Sequence, residues 1–222
     1  MSKNEVAVSL LNVDKEGAVS MFYKLETAKI DYFHIDVMDG IFVENNTHDK
    51  MYEFATTLAN ITTIKQDIHL MVEDVKKYVD LYSPLGRNRI TFHIEALKTS
   101  DEILEMINYI KDTGNQVGLA VSPDTGIDEV YPYLPYIHSV IVMTVQPGKG
   151  GQKLIKDTLL KITQLRNAID EFNNDIDIEA DGGINDTNCE TVKNAGANIL
   201  LAGTYVVKND NIDEAIKKLR GI

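Results

Sequence analysis

The sequence lacks the cysteines that form the disulfides of small secreted proteins and the long apolar segments that hold a protein in a bilayer. It has one cysteine, Cys189, and no tryptophan among 222 residues. A single cysteine cannot form an internal disulfide and suits a reducing compartment. No apolar run approaches the ~20 residues of a membrane-spanning helix, and the opening residues Met1–Glu5 contain no apolar signal-peptide segment. We therefore expect a cytoplasmic protein with no membrane partner.

Positive charge is also scarce. The chain has 34 Asp and Glu against 22 Lys and Arg, a formal net charge of −12. Without a basic patch it cannot release counterions from a nucleic-acid backbone, so nucleic acid is excluded as a partner. The same field would repel a small anionic substrate. Local backbone dipoles would then have to bind such a substrate.

What the sequence does contain is a regular alternation of strand-like and helix-like segments. Runs typical of strands lie at Val6–Leu11, Tyr32–Val37, Gln66–Met71, Arg89–His93, Gln116–Val121, Val140–Val145, Ile176–Ala180 and Ile199–Ala202. Segments typical of helices lie at 15–29, 51–59, 73–83, 101–113, 126–135, 156–172, 187–195 and 211–220. Ser100 is placed to cap the fourth helix, and Gly114 and Gly196 follow the ends of the fourth and seventh.

This alternation predicts an α/β fold, a (β/α)8 TIM barrel that forms one catalytic domain over residues 1–222. The alternative is a doubly wound open sheet. The hydrophobic content of 44% is enough to fill a sizeable core. Barrel chemistry is found at the C-terminal ends of the strands. The polar or sulfur-bearing residues that fall at those ends are Asp36, Met38, His69, Met71, Met143 and Asp181.

The most informative segment is Tyr32–Gly40. His34, Asp36 and Met38 share one face of a strand, and apolar residues occupy the other face. Residues two apart on a strand are roughly 7 Å apart along it, close enough for an imidazole and a carboxylate to reach one divalent metal. A packed strand with an incidental carboxylate is the alternative. It is the weaker one, because a buried ionised carboxylate is costly unless it is paired or metal-bound.

Two further strands repeat the pattern. In the third strand Asp67, His69 and Met71 alternate with apolar residues, and in the seventh Glu179 and Asp181 share a face. Two histidines and two aspartates suit one divalent ion, zinc, iron(II), manganese or cobalt, and the sequence does not choose among them. Glu179 and a further strand residue, His93, are expected to orient their neighbours rather than react.

Glycine-containing segments follow the last three strands. They are Gly148-Lys149-Gly150-Gly151 after the sixth strand, Gly182-Gly183 after the seventh and Gly203-Thr204 after the eighth. Glycine lets backbone N–H groups approach an anion closely, and barrels often bind phosphate with the loops after strands seven and eight. Taken alone, each pair is a simple turn. Three at successive strand ends predict a phosphate site, to which Lys149 adds a charge.

The order of these motifs resembles the ribulose-phosphate 3-epimerase family through essentially the whole chain. The residues that carry the resemblance are Val8–Leu11, His34–Gly40 with Phe42-Val43, His69–Val72, His93–Ala96, Met143–Gly148, Gly150–Gln152, Asp181–Ile184 and Ala202-Gly203. The resemblance implies that His34, Asp36, His69 and Asp181 bind the metal and that Asp36 and Asp181 are the acid/base pair. It also implies that Ser9, His69 and the glycine loops contact a sugar phosphate.

The implied reaction agrees with the residues themselves. Epimerisation at C3 of ribulose 5-phosphate needs two acid/base groups, one on each face of a planar enediolate, and a Lewis acid that stabilises it. We expect Asp36 and Asp181 to approach from opposite sides of the barrel mouth. Met38, Met71 and Met143 are expected to line the cavity and exclude water, besides packing in the core. We also expect a homo-oligomer.

Several positions depart from the family pattern. Glu44 replaces a common proline, residues 45–50 do not follow the usual loop, Lys149 replaces phenylalanine, and Ser122 and Gly203–Tyr205 also differ. None is a proposed metal ligand, so the differences bear on which sugar is bound. The alternative substrate is a hexulose phosphate such as allulose 6-phosphate. A non-catalytic sugar-phosphate sensor would require a missing ligand, and a metal-independent decarboxylase would require a strand-end lysine; the motifs show neither.

Overall fold

The strands form a closed parallel barrel in sequence order. The structure is a computed structural model that describes residues 4–171 and 175–222. The strands are β1 Glu5–Ser9, β2 Tyr32–Met38, β3 Lys65–Met71, β4 Arg89–His93, β5 Gln116–Val121, β6 Ser139–Met143, β7 Asp177–Asp181 and β8 Ile199–Leu201. Because β1 pairs with both β2 and β8, the sheet has no open edge. The predicted (β/α)8 barrel is confirmed, and the open-sheet alternative is wrong.

Helices surround the barrel and bury the outward faces of its strands. They are α1 Ala18–Thr27, α2 His48–Ile61, α3 Val75–Tyr82, α4 Ser100–Asp112, α5 Thr158–Glu171, α6 Cys189–Ala195, α7 Thr204–Val207 and α8 Ile212–Arg220. Outward strand residues such as Ile35, Val37, Ile68 and Leu70 join the apolar shell between strands and helices. Within the described ranges, no helix is long and apolar enough to cross a membrane.

The helix predictions fail in detail where local hydrogen bonding decides the geometry. Segment 126–135 is a 3-10 helix over Ile127–Tyr136, and it contains Pro132 and Pro135, which have no N–H to donate to an α-helical ladder. Short helix α7, directly after Gly203, was not predicted. The predicted helix 156–172 corresponds to α5, and its last residue lies outside the described residues, as do residues 1–3.

The N-terminal cap of the fourth helix lies one residue earlier than predicted. The N-cap is Thr99, whose Oγ1 accepts a hydrogen bond from the Glu102 amide, and the Glu102 carboxylate accepts one from the Thr99 amide. Ser100 is the first helical residue. This reciprocal pair satisfies two amides that would otherwise have no partner, so it outcompetes a serine cap at the next position. Gly114 does follow the helix end, with a positive φ of 82°.

Strand register decides which side chains meet inside the barrel. The β2–β3 pairing sets Asp36 beside His69 and Met38 beside Met71. The β6–β7 pairing sets Met143 beside Asp181. Successive strand residues point to opposite faces, so His34 and Asp36 of β2, Asp67 and His69 of β3, and Glu179 and Asp181 of β7 enter the barrel, while their apolar neighbours pack against helices.

Candidate active site

Four side chains from three strands meet at the mouth of the barrel. His34 and Asp36 on β2, His69 on β3 and Asp181 on β7 each offer one potential ligand atom within 4.8 Å of the others. His69 Nδ1 lies 3.6 Å from Asp36 Oδ1 and 3.6 Å from Asp181 Oδ2. All four side chains are at most 12% exposed. The structure brings together the four residues that the sequence singled out for a metal.

His34 is held from two sides. Its Nδ1 lies 2.6 Å from Asp67 Oδ2, and its Nε2 lies 3.2 Å from Asp36 Oδ1. Burial alone lowers the pKa of His34, but the carboxylates of Asp36 and Asp67 outweigh burial and raise that pKa well above its ordinary value. In the neutral ring, a hydrogen on Nδ1 directed at Asp67 leaves the Nε2 lone pair facing the cluster. Nε2 is therefore the atom with which His34 could bind a metal.

His69 directs Nδ1, rather than Nε2, at the cluster. Its Nε2 lies 2.9 Å from His93 Nε2, and His93 Nδ1 lies 3.0 Å from Glu95 Oε2. His69 Nδ1 is buried and has no hydrogen-bond partner among the described residues. A buried nitrogen without a partner is costly, and a cation bound by its lone pair removes that cost. Two imidazoles and two carboxylates around this atom are a donor set that fits a divalent metal ion.

Hydrogen bonds hold Asp36 in place. Ser9 Oγ donates to Asp36 Oδ2 at 2.6 Å, and Thr47 Oγ1 donates to the Asp36 backbone carbonyl at 2.5 Å. Burial alone raises the pKa of Asp36, but His34 and then His69 outweigh burial and lower it below its usual range. Ser9, expected to bind substrate, thus also orients one of the two candidate acid/base groups.

Sulfur-bearing side chains surround the cluster. Met38, Met71 and Met143 end β2, β3 and β6, are at most 3% exposed and line the same cavity as Asp36 and Asp181. Thioethers are apolar and polarizable and solvate ions weakly. They therefore make the floor of the cavity dry around the carboxylates.

The cavity above the cluster has a volume of about 700 Å³. It reaches the loops after β6, β7 and β8, and every residue predicted there lines it: Gly148, Lys149, Gly150, Gly151, Gly182, Gly183, Gly203 and Thr204. Gly183 has a φ of +69°, and a Cβ at this position would lie 2.5 Å from the Leu154 backbone nitrogen. Only glycine fits there, because any other residue would be strained and would collide with the neighbouring backbone.

The cavity holds more positive charge than the sequence analysis proposed. Besides Lys149, the residues Lys153 and Lys156 line it. Asn12, also missed, lines the cavity as well, and its Nδ2 donates to Thr204 Oγ1 at 2.8 Å. The signal that could have identified the two lysines is their spacing within one loop after β6. Three lysines at the cavity of a chain with a net charge of −12 offset the repulsion of an anion locally.

The divergent loop after β2 packs against the loop after β6. Asn45 Nδ2 donates to the Gly148 carbonyl at 2.6 Å. A Cβ at Gly148 would lie 2.8 Å from Val43 Cβ. Phe42 packs on the His93 ring, with ring centres 5.0 Å apart. The loop that departs from the family pattern is thus anchored to the loop after β6 and to the histidines beneath it.

A buried ionic group lies below the metal cluster, and sequence analysis missed its centre. Arg89 on β4 contacts Glu179 on β7, and one ligand atom each of His34, Asp67 and Glu179 lie within 4.8 Å of one another. Burial raises the pKa of Glu179 to about 8, and Asp67 adds to that effect. Burial alone raises the pKa of Asp67, but His34 and Arg89 outweigh burial and lower it to about 2. Glu179 contacts Arg89 and does not line the cavity, and its expected role in orienting neighbouring groups stays a prediction.

The sequence as a whole matches known proteins. Residues 5–207 match the model of the ribulose-phosphate 3 epimerase family. The ribulose-phosphate 3-epimerase of Methanocaldococcus jannaschii is 36% identical, over 97% of this chain and 89% of the relative. The enzyme of the same name from Synechocystis sp. is 35% identical, over 99% of this chain and 95% of the relative. The one from Bacillus subtilis is 33% identical, over 98% of each.

Solved structures support the fold at much lower identity. KGPDC from Streptococcus mutans superposes with a TM-score of 0.73 at 13% identity, covering 99% of this chain and 96% of that one. 3-Hexulose-6-phosphate synthase from Salmonella typhimurium gives 0.73 at 14% identity, covering 98% and 97%. At these identities the likeness is one of fold alone. From the family match and the full-length relatives, the chain belongs to the ribulose-phosphate 3-epimerase family and is an enzyme, an epimerase of a pentose phosphate.

Proposed function

We propose that this enzyme interconverts D-ribulose 5-phosphate and D-xylulose 5-phosphate by two-aspartate proton transfer, with one divalent metal ion bound at His34, Asp36, His69 and Asp181. The observation that carries the proposal is the convergence of two buried carboxylates and two imidazoles within 4.8 Å at the barrel mouth. The whole chain, residues 1–222, acts as one catalytic domain in this proposal, because strands from residue 5 to residue 201 build a single barrel.

The proton chemistry needs a group on each face of the reacting carbon. In one direction Asp36, kept ionised by its histidine neighbours, accepts the C3 proton as the C–H bond breaks. The electron pair of that bond moves towards the C2 carbonyl oxygen and leaves a planar enediolate. Asp181, starting protonated, donates its proton to C3 from the other face, and the reverse reaction exchanges the two roles.

The metal would be zinc, iron(II), manganese or cobalt, all of which accept this mixed nitrogen and oxygen donor set. When bound, it supplies a Lewis acid that stabilises negative charge on the sugar oxygens. The chain's own groups do the rest. Asp67 and His93 hold the rings of His34 and His69, Ser9 holds Asp36, and the methionines keep bulk water from the reacting carbon.

The phosphate group fits at the other end of the cavity. The loops after β6, β7 and β8 present glycine backbone there, and Lys149 supplies a charge at the rim. Backbone N–H groups bind a phosphate without bringing a side chain that could compete with the reacting groups. Phosphate binding at this end fixes the sugar so that C2 and C3 lie over the carboxylates.

The experiment is a coupled assay that compares ribulose 5-phosphate with allulose 6-phosphate, before and after metal removal by a chelator. The proposal expects higher kcat/KM on ribulose 5-phosphate, loss of turnover after chelation, and recovery with zinc, iron(II), manganese or cobalt. Preference for allulose 6-phosphate would make the enzyme a hexulose-phosphate 3-epimerase. Full activity in metal-stripped protein would contradict the metal assignment. No turnover of either sugar under any metal would favour a sugar-phosphate sensor.

A further inference from the structure

Arg89 is an unusual residue to find inside a barrel. It heads the largest fully buried side chains of the described residues, at 1% exposure. It is the first residue of β4, and Tyr32 and Asp177, the first residues of β2 and β7, lie beside it. The guanidinium group lies 4.6 Å from the centre of the Tyr32 ring, and its Nη2 lies 3.4 Å from Asp177 Oδ2. Arg89 therefore closes the bottom of the barrel, the end opposite the mouth.

From this floor a line of polar contacts runs up to the metal cluster. Arg89 Nη1 donates to Glu179 Oε1. Glu179 lies two residues before Asp181 on β7 and faces the same side of the strand. One oxygen of its carboxyl group lies within 4.8 Å of an Asp67 oxygen and a His34 nitrogen. Asp67 Oδ2 lies 2.6 Å from His34 Nδ1, and His34 Nε2 faces Asp36 at 3.2 Å. Four side chains, Arg89, Glu179, Asp67 and His34, thus connect the floor to the mouth.

The charges of this column explain why an arginine is needed. Glu179 and Asp67 are two acidic groups held side by side with no exposed surface. Two acidic groups buried this close together lose the solvation that water would give them, and the negative charge that the pair carries needs a counter-charge. In the part of the chain that the structure describes, Arg89 is the one lysine or arginine in an ion pair with Glu179. A neutral side chain at this position would leave that pair without its fixed counter-charge.

The position of Asp67 matters for metal binding because it sets the tautomer of His34. A carboxylate that accepts from Nδ1 keeps the hydrogen there and leaves Nε2 free as a ligand atom, and it makes the imidazole a better donor. If Asp67 turned away, His34 would lose that constraint. Arg89 touches neither the four candidate ligands nor the cavity, so its route to His34 runs through Glu179 and Asp67.

We propose that Arg89 is a positioning residue of the metal centre, which acts through Glu179 and Asp67 to hold His34 in its metal-binding orientation. The proposal rests on the metal site proposed above. The competing explanation is that Arg89 only fills the floor of the barrel and stabilises the fold.

The test measures metal affinity directly, by competition with a chelator, in folded wild-type protein and in Arg89→Met, which keeps the side-chain length and removes the charge. We expect Arg89→Met to weaken metal binding about 10–100-fold, and Arg89→Lys to recover part of that loss. With cobalt as the probe, the visible absorption band of Arg89→Met should shift because His34 is no longer fixed. Saturating metal should restore kcat more than it restores thermal stability.

Arg166 offers a matched control on the outside of the barrel. It is a partly buried arginine on α5 that bonds to the Gly196 carbonyl and to Asn198. Arg166→Met should lower the melting temperature while leaving the metal dissociation constant and the cobalt band unchanged. A filling role for Arg89 predicts the same behaviour for Arg89→Met, and that result would overturn the proposal.

Two further variants keep the proposal testable if Arg89→Met does not fold. Glu179→Gln removes the acidic link between Arg89 and Asp67 and should weaken metal binding severalfold. Asp177 is the outer partner of Arg89, and its side chain is 37% exposed. Asp177→Asn should leave metal binding unchanged. Equal metal affinities in Glu179→Gln and wild type would contradict the proposal that Arg89 acts on His34 through Glu179. If the wild type itself binds no metal, both this inference and the metal assignment fail. If the wild type binds metal and the variants bind it with the same affinity, only this inference fails.

Discussion

The two sides of the barrel mouth work with different parts of the chain. On the side of β2 and β3 the functional groups are side chains, His34, Asp36 and His69, held on strands whose register sets them beside one another. On the side of β6 to β8 the groups are largely backbone, at glycines in loops. A strand holds a side chain in one direction and so suits ligands that must converge on a point. A glycine loop exposes several N–H groups at once and so suits the broad surface of a phosphate. Asp181 stands at the junction, at the last residue of β7 and directly before Gly182.

Removing a side chain on the strand side should give the largest effect. His69→Ala deletes one of four candidate ligands, and we expect metal affinity to fall by about 10²-fold or more, with turnover lost in parallel. Metal content and steady-state kinetics measure this. His138→Ala is the control, because His138 Nδ1 only accepts a bond from the Val117 amide away from the cluster. Normal metal content in His69→Ala would contradict the assignment.

Neutralising the residue at the junction should affect chemistry but not phosphate binding. Asp181→Asn keeps the size of the side chain but can neither accept nor deliver the proton, so we expect kcat to fall about 10²–10⁴-fold. The dissociation constant of inorganic phosphate, measured by calorimetry, should stay near the wild-type value. A kcat within a few-fold of wild type would remove Asp181 from the acid/base pair.

Altering the backbone on the loop side should affect substrate binding and stability rather than the proton transfer. Gly183→Ala combines a positive φ with a Cβ placed 2.5 Å from a backbone nitrogen, and we expect a loss of about 1–3 kcal/mol in unfolding free energy and a raised KM. Gly17→Ala is the control for strain alone, since Gly17 also has a positive φ but nothing within 4 Å of its Cβ position. It should lose stability without a change in KM. An unchanged KM in Gly183→Ala would show that the loop does not bind the substrate.

The two sides of the mouth also differ in how far the sequence predicts them. The alternation of His34, Asp36 and His69 with apolar residues predicted their shared face, and the order of strands predicted that they would meet. The fold and the family were confirmed. The roles assigned to individual residues stay predictions, and so do the homo-oligomer and the cytoplasmic location. Asp36 and Asp181, expected on opposite sides of the mouth, have ligand atoms within 4.8 Å of one another.

What sequence could not give depends on contacts between distant segments. Nothing local marks Arg89 as buried, because its partners Glu179 and Tyr32 lie on other strands. Lys153 and Lys156 follow the recognised glycine motif, but only the fold of their loop turns them to the cavity. The capping residue Thr99 was missed by one position because serine and threonine stand side by side and only the reciprocal bond to Glu102 distinguishes them.

A smaller effect is expected from the charge at the rim of the loop side. Lys149→Phe should raise KM severalfold and weaken its dependence on ionic strength, with kcat almost unchanged, because phosphate binding contributes equally to ground and transition states. Lys24→Met, on helix α1, should change neither. If KM in the wild type does not vary with ionic strength, Lys149 is a solvated surface residue.

The smallest effect concerns support for His93. Burial alone raises the pKa of Glu95, but His93 and the Ser122 amide outweigh burial and lower it to about 2. A carboxyl group whose folded pKa is depressed stabilises the fold fully above its unfolded value of about 4.3, and this is lost as pH falls towards 2. We expect Glu95→Gln to lose on the order of 1 kcal/mol at pH 7, since the side chain is partly exposed. Urea titrations at pH 7 and pH 3 should show a smaller difference between wild type and variant at the lower pH. An equal difference at both would contradict the shift.

Heavy water gives the most direct test of the two-aspartate mechanism. Wild-type enzyme and ribulose 5-phosphate are incubated in D2O, and the C3 position of the xylulose 5-phosphate formed is read by nuclear magnetic resonance. If one aspartate removes the C3 proton and the other delivers a solvent-exchanged one, each product molecule carries deuterium at C3, and Asp181→Asn forms such product far more slowly. Product that keeps its original hydrogen at C3 during full turnover would contradict the account.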